Sequence, residues 1–372
     1  MLADAIPLAG LRRALVIKLR HHGDVLLASP VLSVLKNHVP QLDIDALVYA
    51  ETADMLSLHP ALDRLFVIDR AWKRAGALAR LGKEVRLLQE LRARDYDLVV
   101  HLTEHWRGAW IARLCRARWS VAPAVAGRGR RWSNAFTHLV AQPRGTRRHV
   151  VEAGLDALRR IGIQPTPAER GLTLIPGGPA EARAAALLTE LGVMQGGFVH
   201  FHPGSRWSFK CWPVDRMAAA IGALQGEGWP VLLTAAPDQA ELAMIEAIQQ
   251  RLAVPAASLA GQLSLKELAA VTARARLFVG VDSAPMHIAA AMGTPVVALF
   301  GPSGEGHWGP WTPHHRVVAN NGYTCRPCGI DGCGGGKLSD CLMTLPVSRV
   351  LDACRELLAA SPVDRGPDFP RV

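Results

Sequence analysis

The chain has 372 residues, enough for two domains with cores of their own. Hydrophobic residues make up 49% of it, yet no apolar run approaches the roughly 20 residues of a membrane-spanning helix, which argues against a helical membrane span. Residues 1–170 carry 27 Lys and Arg against 16 Asp and Glu, a net of +11, and residues 171–372 carry 15 against 16, a net of −1; a polyanionic partner is therefore expected for the first half alone.

Nucleic acid, anionic lipid and a phosphorylated glycan all meet that expectation, and so does an arginine-rich composition with no partner at all. The opening MLADAIPLAGLRR is too short and too interrupted for a signal peptide. A cytosolic protein is expected, with most of its seven cysteines reduced.

Residues 14–19 read as a short apolar strand carrying Lys18. Arg20-His21-His22-Gly23-Asp24 follows, where Gly23 permits a tight strand-to-helix turn. Asp24 then falls at the start of a helical pattern over residues 25–39, where a carboxylate suits the helix dipole; a plain helix cap is the competing reading. Pro30 is expected to kink that helix. Residues 42–49 form the next strand. Its Asp43-Ile44-Asp45 resembles a metal-binding DxD, but alternation places both carboxylates at a solvated edge, so it reads as structure. Residues 65–68 are a third strand. Residues 72–94 read as a basic amphipathic helix with Leu78, Leu81, Val85, Leu88 and Leu91 on one stripe. A strand at 97–102 and a helix at 106–116 continue the βαβα order of a doubly wound, mostly parallel sheet. The basic clusters RGRRW (128–132) and RGTRRH (144–149) read as loops. A helix covers 150–161, and the Pro- and Gly-rich stretch 165–179 reads as the linker.

The second half repeats the pattern. A strand at 198–201 leads into the turn His202-Pro203-Gly204-Ser205 and a basic, aromatic continuation to Trp212; Pro213 then opens a helix. A strand at 231–234 and a helix at 237–252 follow. Ser264 caps the helix 264–274, and Glu267 completes its capping box. Next comes LFVGVDSAPMHIAAAMGTPVVALFGPS. Residues 277–281 read as a buried strand, Asp282-Ser283 as a helix N-cap, and residues 296–300 as a second buried strand. A helix N-terminus in such a βαβ unit suits a phosphate. His287, one turn in, reads either as a packed core histidine or as a ligand contact. Cys325, Cys328, Cys333 and Cys341 fall within seventeen residues; tetrahedral zinc is the minor reading of their irregular spacing and free or partly paired thiols the major one. Residues 347–360 are a closing helix, and the tail after it is expected to be loose.

Three stretches together carry a family resemblance: IKLRHHGDVLLASPVLSVLK near the start, HFHPGSRWSFKCWP in the middle and GVDSAPMHIAAAMGTPVVALFGP toward the end. Over nearly its full length the chain resembles the bacterial lipopolysaccharide heptosyltransferases of glycosyltransferase family 9. KLRHHGD looks most like the branch that adds the third, side-chain heptose of the inner core, although His21-His22 stands where many relatives carry Ser or Thr.

The resemblance implies an α/β, GT-B fold, two Rossmann-like doubly wound domains facing a central cleft. Residues 1–170 would bind the acceptor and 171–345 would bind ADP-heptose. Residues 346–372 would form a helix and tail, with the helix packing back on the first domain. The implied enzyme is an inverting glycosyltransferase with a lipopolysaccharide inner-core acceptor, in peripheral contact with the cytoplasmic face of the inner membrane, with no nucleic acid partner and no required metal. Asp24 matches the proposed base and Lys210 is the natural diphosphate clamp. Gly204, Ser205, Glu241, Leu263, Asp282, Ser283, Ala284 and His287 join Lys210 as donor-site candidates. Arg20, His21, Arg130, Arg131, Arg147 and Arg148 are the acceptor candidates. An epimerase on the same fold and a basic nucleic-acid-binding protein are the competing functions. The first needs an acid and a base on both sides of the sugar ring, and only one clear candidate is present. The second lacks a recognisable nucleic-acid module.

Overall fold

The computed structural model of the chain describes residues 4–74, 76–141 and 148–360. Arg147, an acceptor candidate, lies outside the described residues, as do Arg144 and the proline-rich tail. The chain divides into two compact units, Met1–Ile175 and Pro176–Val372. The boundary falls five residues later than expected. The Thr173 backbone N–H donates to Ser29 Oγ at 3.0 Å and Leu174 is buried, which holds this stretch on the first unit.

The first unit is built on six parallel strands: β1 (Arg13–Ile17), β2 (Asp43–Tyr49), β3 (Arg64–Ile68), β4 (Leu98–His101), β5 (Trp119–Pro123) and β6 (His138–Val140). Their spatial order is β3-β2-β1-β4-β5-β6. The chain runs outward from β1 to β3, then returns to place β4 on the other side of β1. That reversal makes the carboxyl ends of β1 and β4 the switch point, where doubly wound sheets bind ligands. All four residues of β4 are buried, as are residues 14–17 of β1, so these strands form the middle of the core.

Several local expectations for this unit need correcting. The helix expected over 25–39 is two helices, His22–Leu26 and Ser29–His38. Pro30 does not kink a continuous helix; it sits in the first turn of the second one, where its missing N–H costs nothing. Asp45 is not at a solvated edge. It is fully buried, accepts from Arg94 Nε at 2.7 Å and from the Tyr96 hydroxyl at 2.6 Å, and so serves as a structural counter-ion. Asp43 is half exposed and meets Arg13 at 3.8 Å. The basic amphipathic helix spans Ala77–Ala93, and only Leu87 and Leu91 of it are buried. RGRRW is partly a short helix, Gly129–Ser133, anchored by buried Trp132.

The second unit repeats the plan with β7 (Val199–His202), β8 (Val231–Leu233), β9 (Ala257–Ser258), β10 (Leu277–Val281), β11 (Val296–Phe300) and β12 (His315–Ala319). All are parallel, in the order β12-β11-β10-β7-β8-β9, so its switch point lies between β7 and β10. The end of the expected linker starts a helix, Gly178–Glu190. Gly177 takes the left-handed φ of 90° and Pro179 falls in the first turn. The closing helix, Val347–Ala360, lays Val350, Leu351, Cys354, Leu357 and Leu358 into the second unit's own core, beside Val297, Leu299 and Val318.

Candidate active site

At the carboxyl end of β1, Lys18 follows the strand directly and is buried. Its ammonium donates to the Leu102 carbonyl at 3.3 Å, across the switch point, and lies 4.0 Å from Asp24 Oδ1. Burial lowers the Lys18 pKa; the Asp24 carboxylate opposes that shift and the Arg20 guanidinium adds to it. Asp24 sits in the first turn of His22–Leu26, whose N-cap His21 caps nothing with its side chain. Asp24 therefore has a lysine partner as well as the helix dipole. A carboxylate held this way at a switch point can orient and deprotonate a hydroxyl. Arg20 and His21 are exposed immediately before it.

The loop after β4 completes this end of the sheet. His101 ends β4, fully buried, with Nε2 3.0 Å from Thr103 Oγ1 and its ring stacked on Phe136. Burial pushes its pKa down to about 3, helped by His105 and Lys18, so the imidazole is neutral. Gly108 makes room for it, since a Cβ there would fall 1.8 Å from His101 Nε2. Arg128 donates to the Glu104 carbonyl at 2.9 Å and lies over the rings of Trp106 and Trp132. It thereby ties the start of Gly129–Ser133, with exposed Arg130 and Arg131, to this loop. Arg148 has a different place. It donates to Asp156 Oδ1 at 2.8 Å and pairs with Glu152 at 3.4 Å, so its charge is met within the fold.

In the second unit the switch point gathers most of the donor-site candidates. Lys210 Nζ donates to Asp282 Oδ2 at 2.6 Å, joining the loop after β7 to the loop after β10. Asp282 is buried and Lys210 half-buried. Ser283 is the N-cap of Ala284–Ala291, as expected, but its hydroxyl donates to the Val281 carbonyl at 3.3 Å and caps no helix amide. His287 is buried one turn in. Ser205 Oγ accepts from the Trp207 amide at 3.3 Å, which shapes the turn before Lys210.

Gly204 packs directly on Glu241: a Cβ there would lie 2.5 Å from Glu241 Oε2. Glu241 is buried, accepts from the Ala236 amide at 2.9 Å and faces His202 Nε2 at 3.6 Å. Burial raises its pKa, but the facing His202 ring and the Ala236 amide outweigh that and leave it lowered. Behind it runs a buried row. His202 Nδ1 and His200 Nε2 both meet Thr234 Oγ1, at 2.9 and 2.7 Å, and Thr272 Oγ1 lies 3.2 Å from His200 Nδ1. Leu263 is half-buried against a small core with Leu259 and Leu232, a packing position.

Sequence reasoning did not single out Lys18, His101 or His202. Each stands at the carboxyl end of an apolar strand, and a polar residue in that position is the signal that marks them. The cysteine segment lies apart from these residues in sequence. Cys325, Cys328 and Cys333 are exposed and Cys341 is buried. Among the described residues no group of three or more His, Cys, Asp or Glu is arranged to hold a metal ion. Likewise, no described helix is long and apolar enough to cross a membrane.

Residues 84–337 match the family described as Glycosyltransferase family 9 (heptosyltransferase). The chain is 38% identical over 296 residues to lipopolysaccharide heptosyltransferase 3 of Escherichia coli, covering 79% of this chain and 85% of that one. It is 28% identical over 324 residues to lipopolysaccharide heptosyltransferase 1 of Pseudomonas aeruginosa PAO1, covering 85% and 86%. Among solved structures, a family 9 glycosyl transferase from Veillonella parvula superposes with a TM-score of 0.82 at 23% identity, covering 96% of this chain and 100% of that one. The E. coli heptosyltransferase WaaC with ADP gives 0.72 at 22%, covering 93% and 99%. These likenesses show the shared α/β two-domain fold.

Proposed function

The chain belongs to glycosyltransferase family 9, and from that premise we infer that it transfers heptose from an ADP-heptose donor in building the lipopolysaccharide core. The observation that carries the reading is the Lys210–Asp282 pair at the switch point of the second unit, directly before the helix Ala284–Ala291. A fixed ammonium beside helix N-terminal amides is what a departing diphosphate requires.

In finer terms, we propose an inverting displacement from ADP-L-glycero-D-manno-heptose onto an inner-core hydroxyl, with the branch adding the side-chain heptose favoured. Asp24 takes the hydroxyl proton. The oxygen attacks the sugar's C1, and the C1–O bond to the diphosphate breaks with its electron pair going to ADP. Lys210 meets the charge that develops there, and Glu241 contacts the nucleoside. Lys18, 4.0 Å from Asp24, orients it as a positioning residue. The positive charge is supplied by the chain's own side chains and amides, so the scheme asks for no metal. Arg20, His21, Arg130 and Arg131 would meet the anionic acceptor, in keeping with the +11 of the first half. We propose that the chain acts at the cytoplasmic face of the inner membrane, by peripheral contact, with no nucleic acid partner.

Incubation with ADP-heptose and lipopolysaccharides truncated at successive core sugars, read by mass spectrometry, tests this. Addition of one heptose to one truncation is the expected result. An isomerised ADP-sugar formed without acceptor would favour the epimerase reading instead.

A further inference from the structure

The helix Ala77–Ala93 is anchored in the core only through its C-terminal half, by Leu87 and Leu91. Of residues 77–86, all but Glu84 are exposed. Leu78, Leu81 and Val85 are spaced three and four apart, hence on one face, and are 86%, 60% and 44% exposed. The helix Trp106–Cys115 adds Trp110 and Leu114, four apart, at 59% and 42%. Arg107, on the same face as these two, donates to Glu84 Oε1 and ties the two apolar rows together. These five are a third of the fifteen large apolar side chains exposed among the described residues. Their concentration on two joined helices is a patch rather than scatter.

The surrounding charge is one-sided. Residues 70–92 hold seven Lys and Arg against two Glu, with Arg70 paired to Glu51 and Arg86 to Glu90, and Arg113, Arg116 and Arg118 flank Leu114; Arg94 is turned inward to Asp45 and Asp63 and is not part of this surface. Both glutamates are engaged: Glu84 by Arg107, and Glu90 by Arg86 at 2.9 Å. A second copy of this chain on the patch would set like charges face to face, which weakens association. An anionic bilayer matches both parts of the surface. The apolar rows enter the boundary between headgroups and acyl chains, and the Lys and Arg side chains meet lipid phosphates. Trp72, with Lys83 Nζ 6.0 Å from its ring, is of the residue type that settles at that boundary.

We propose that the exposed half of Ala77–Ala93, with Trp110 and Leu114, is the surface by which this chain lies on an anionic lipid bilayer. The inference gives a location to the membrane contact proposed above and rests on that reading only for its biological setting; its evidence is exposure and charge.

Flotation of the full chain with vesicles of phosphatidylcholine, alone or mixed with phosphatidylglycerol, tests it. The chain is expected to float with the anionic vesicles and to be released by salt. The triple variant Leu78→Ser, Leu81→Ser, Val85→Ser should lose about tenfold or more of that binding. Its melting temperature and ADP affinity should stay unchanged, since the three side chains are exposed. Lys83→Gln with Arg80→Gln should weaken the preference for anionic over neutral vesicles, about tenfold or more, and leave binding to neutral vesicles unchanged. Wild-type flotation by the triple variant would overturn the proposal, and so would a wild-type chain that ignores anionic vesicles. A wild-type dimer that the triple variant dissolves would assign the patch to self-association. An active transferase that does not float sinks this inference alone. A chain that floats but transfers no heptose sinks the proposed function alone.

Discussion

Replacing Gly204 by alanine tests the donor site at its tightest contact. The backbone at Gly204 is not left-handed, so the substitution adds no φ strain. Its new Cβ would lie 2.5 Å from Glu241 Oε2 and 2.7 Å from Cδ, far inside van der Waals contact. Glu241 must then move. In moving it gives up the Ala236 amide at 2.9 Å and its place opposite His202. Hydrogen bonds to a charged group are worth about 1.5–3 kcal/mol. If Glu241 must return to its place to meet the nucleoside, the clash opposes binding by that amount, roughly 10- to 150-fold in ADP affinity. Titration calorimetry with ADP measures it. The cause is isolated by repeating the substitution in a Glu241→Ala background, where the added methyl has nothing to strike and should change little further. Wild-type ADP affinity in Gly204→Ala would refute the reasoning, because the glycine and the glutamate would then have no part in the donor site.

Asp24→Asn should lose about 10²- to 10⁴-fold in transfer while ADP binding persists; near-wild-type turnover would reduce Asp24 to a helix cap. Lys210→Ala should weaken donor binding and kcat together, since the ammonium meets the diphosphate before and during its departure; unchanged ADP affinity by calorimetry would remove it from the site. Burial holds the imidazoles of His59, His101 and His200 neutral in the fold, with pKa values of about 4, 3 and 3. The unfolded chain takes up these protons near pH 6.5 and the folded chain refuses them. Stability from this source is complete above about pH 6.5 and falls as the pH drops toward about 3, the folded value of His101 and His200. Melting curves at pH 7 and pH 5 should show a lower Tm at the acid end, and equal values would count against buried neutral histidines.

The strands β10 and β11 begin and end where the sequence places them, because each is a wholly apolar run closed by Asp, Gly or Pro signals. The Ser264–Glu267 capping box is equally local and also forms. The two α/β halves and the family motifs were likewise legible, since strand-turn-helix order is written in neighbouring residues. Even the charge split needed only counting.

Other features depend on which residues the fold brings together. Asp45 is a buried counter-ion because Arg94 arrives from 49 residues away. Asp282 holds Lys210 across 72 residues, and Asp24 gains Lys18 because a strand-to-helix turn folds the chain back on itself. The amphipathic stripe on Ala77–Ala93 shows the limit most clearly. Periodicity reveals which face of a helix is apolar, but burial of that face depends on a partner supplied by distant sequence. Leu87 and Leu91 found one in the first unit's core, and Leu78, Leu81 and Val85 face water. Sequence by itself therefore determined the fold class, the family and the strand-to-helix turns on which the candidate site residues stand. Tertiary structure decided which charges pair and which apolar faces stay open, because both are set by contacts between segments far apart in the chain.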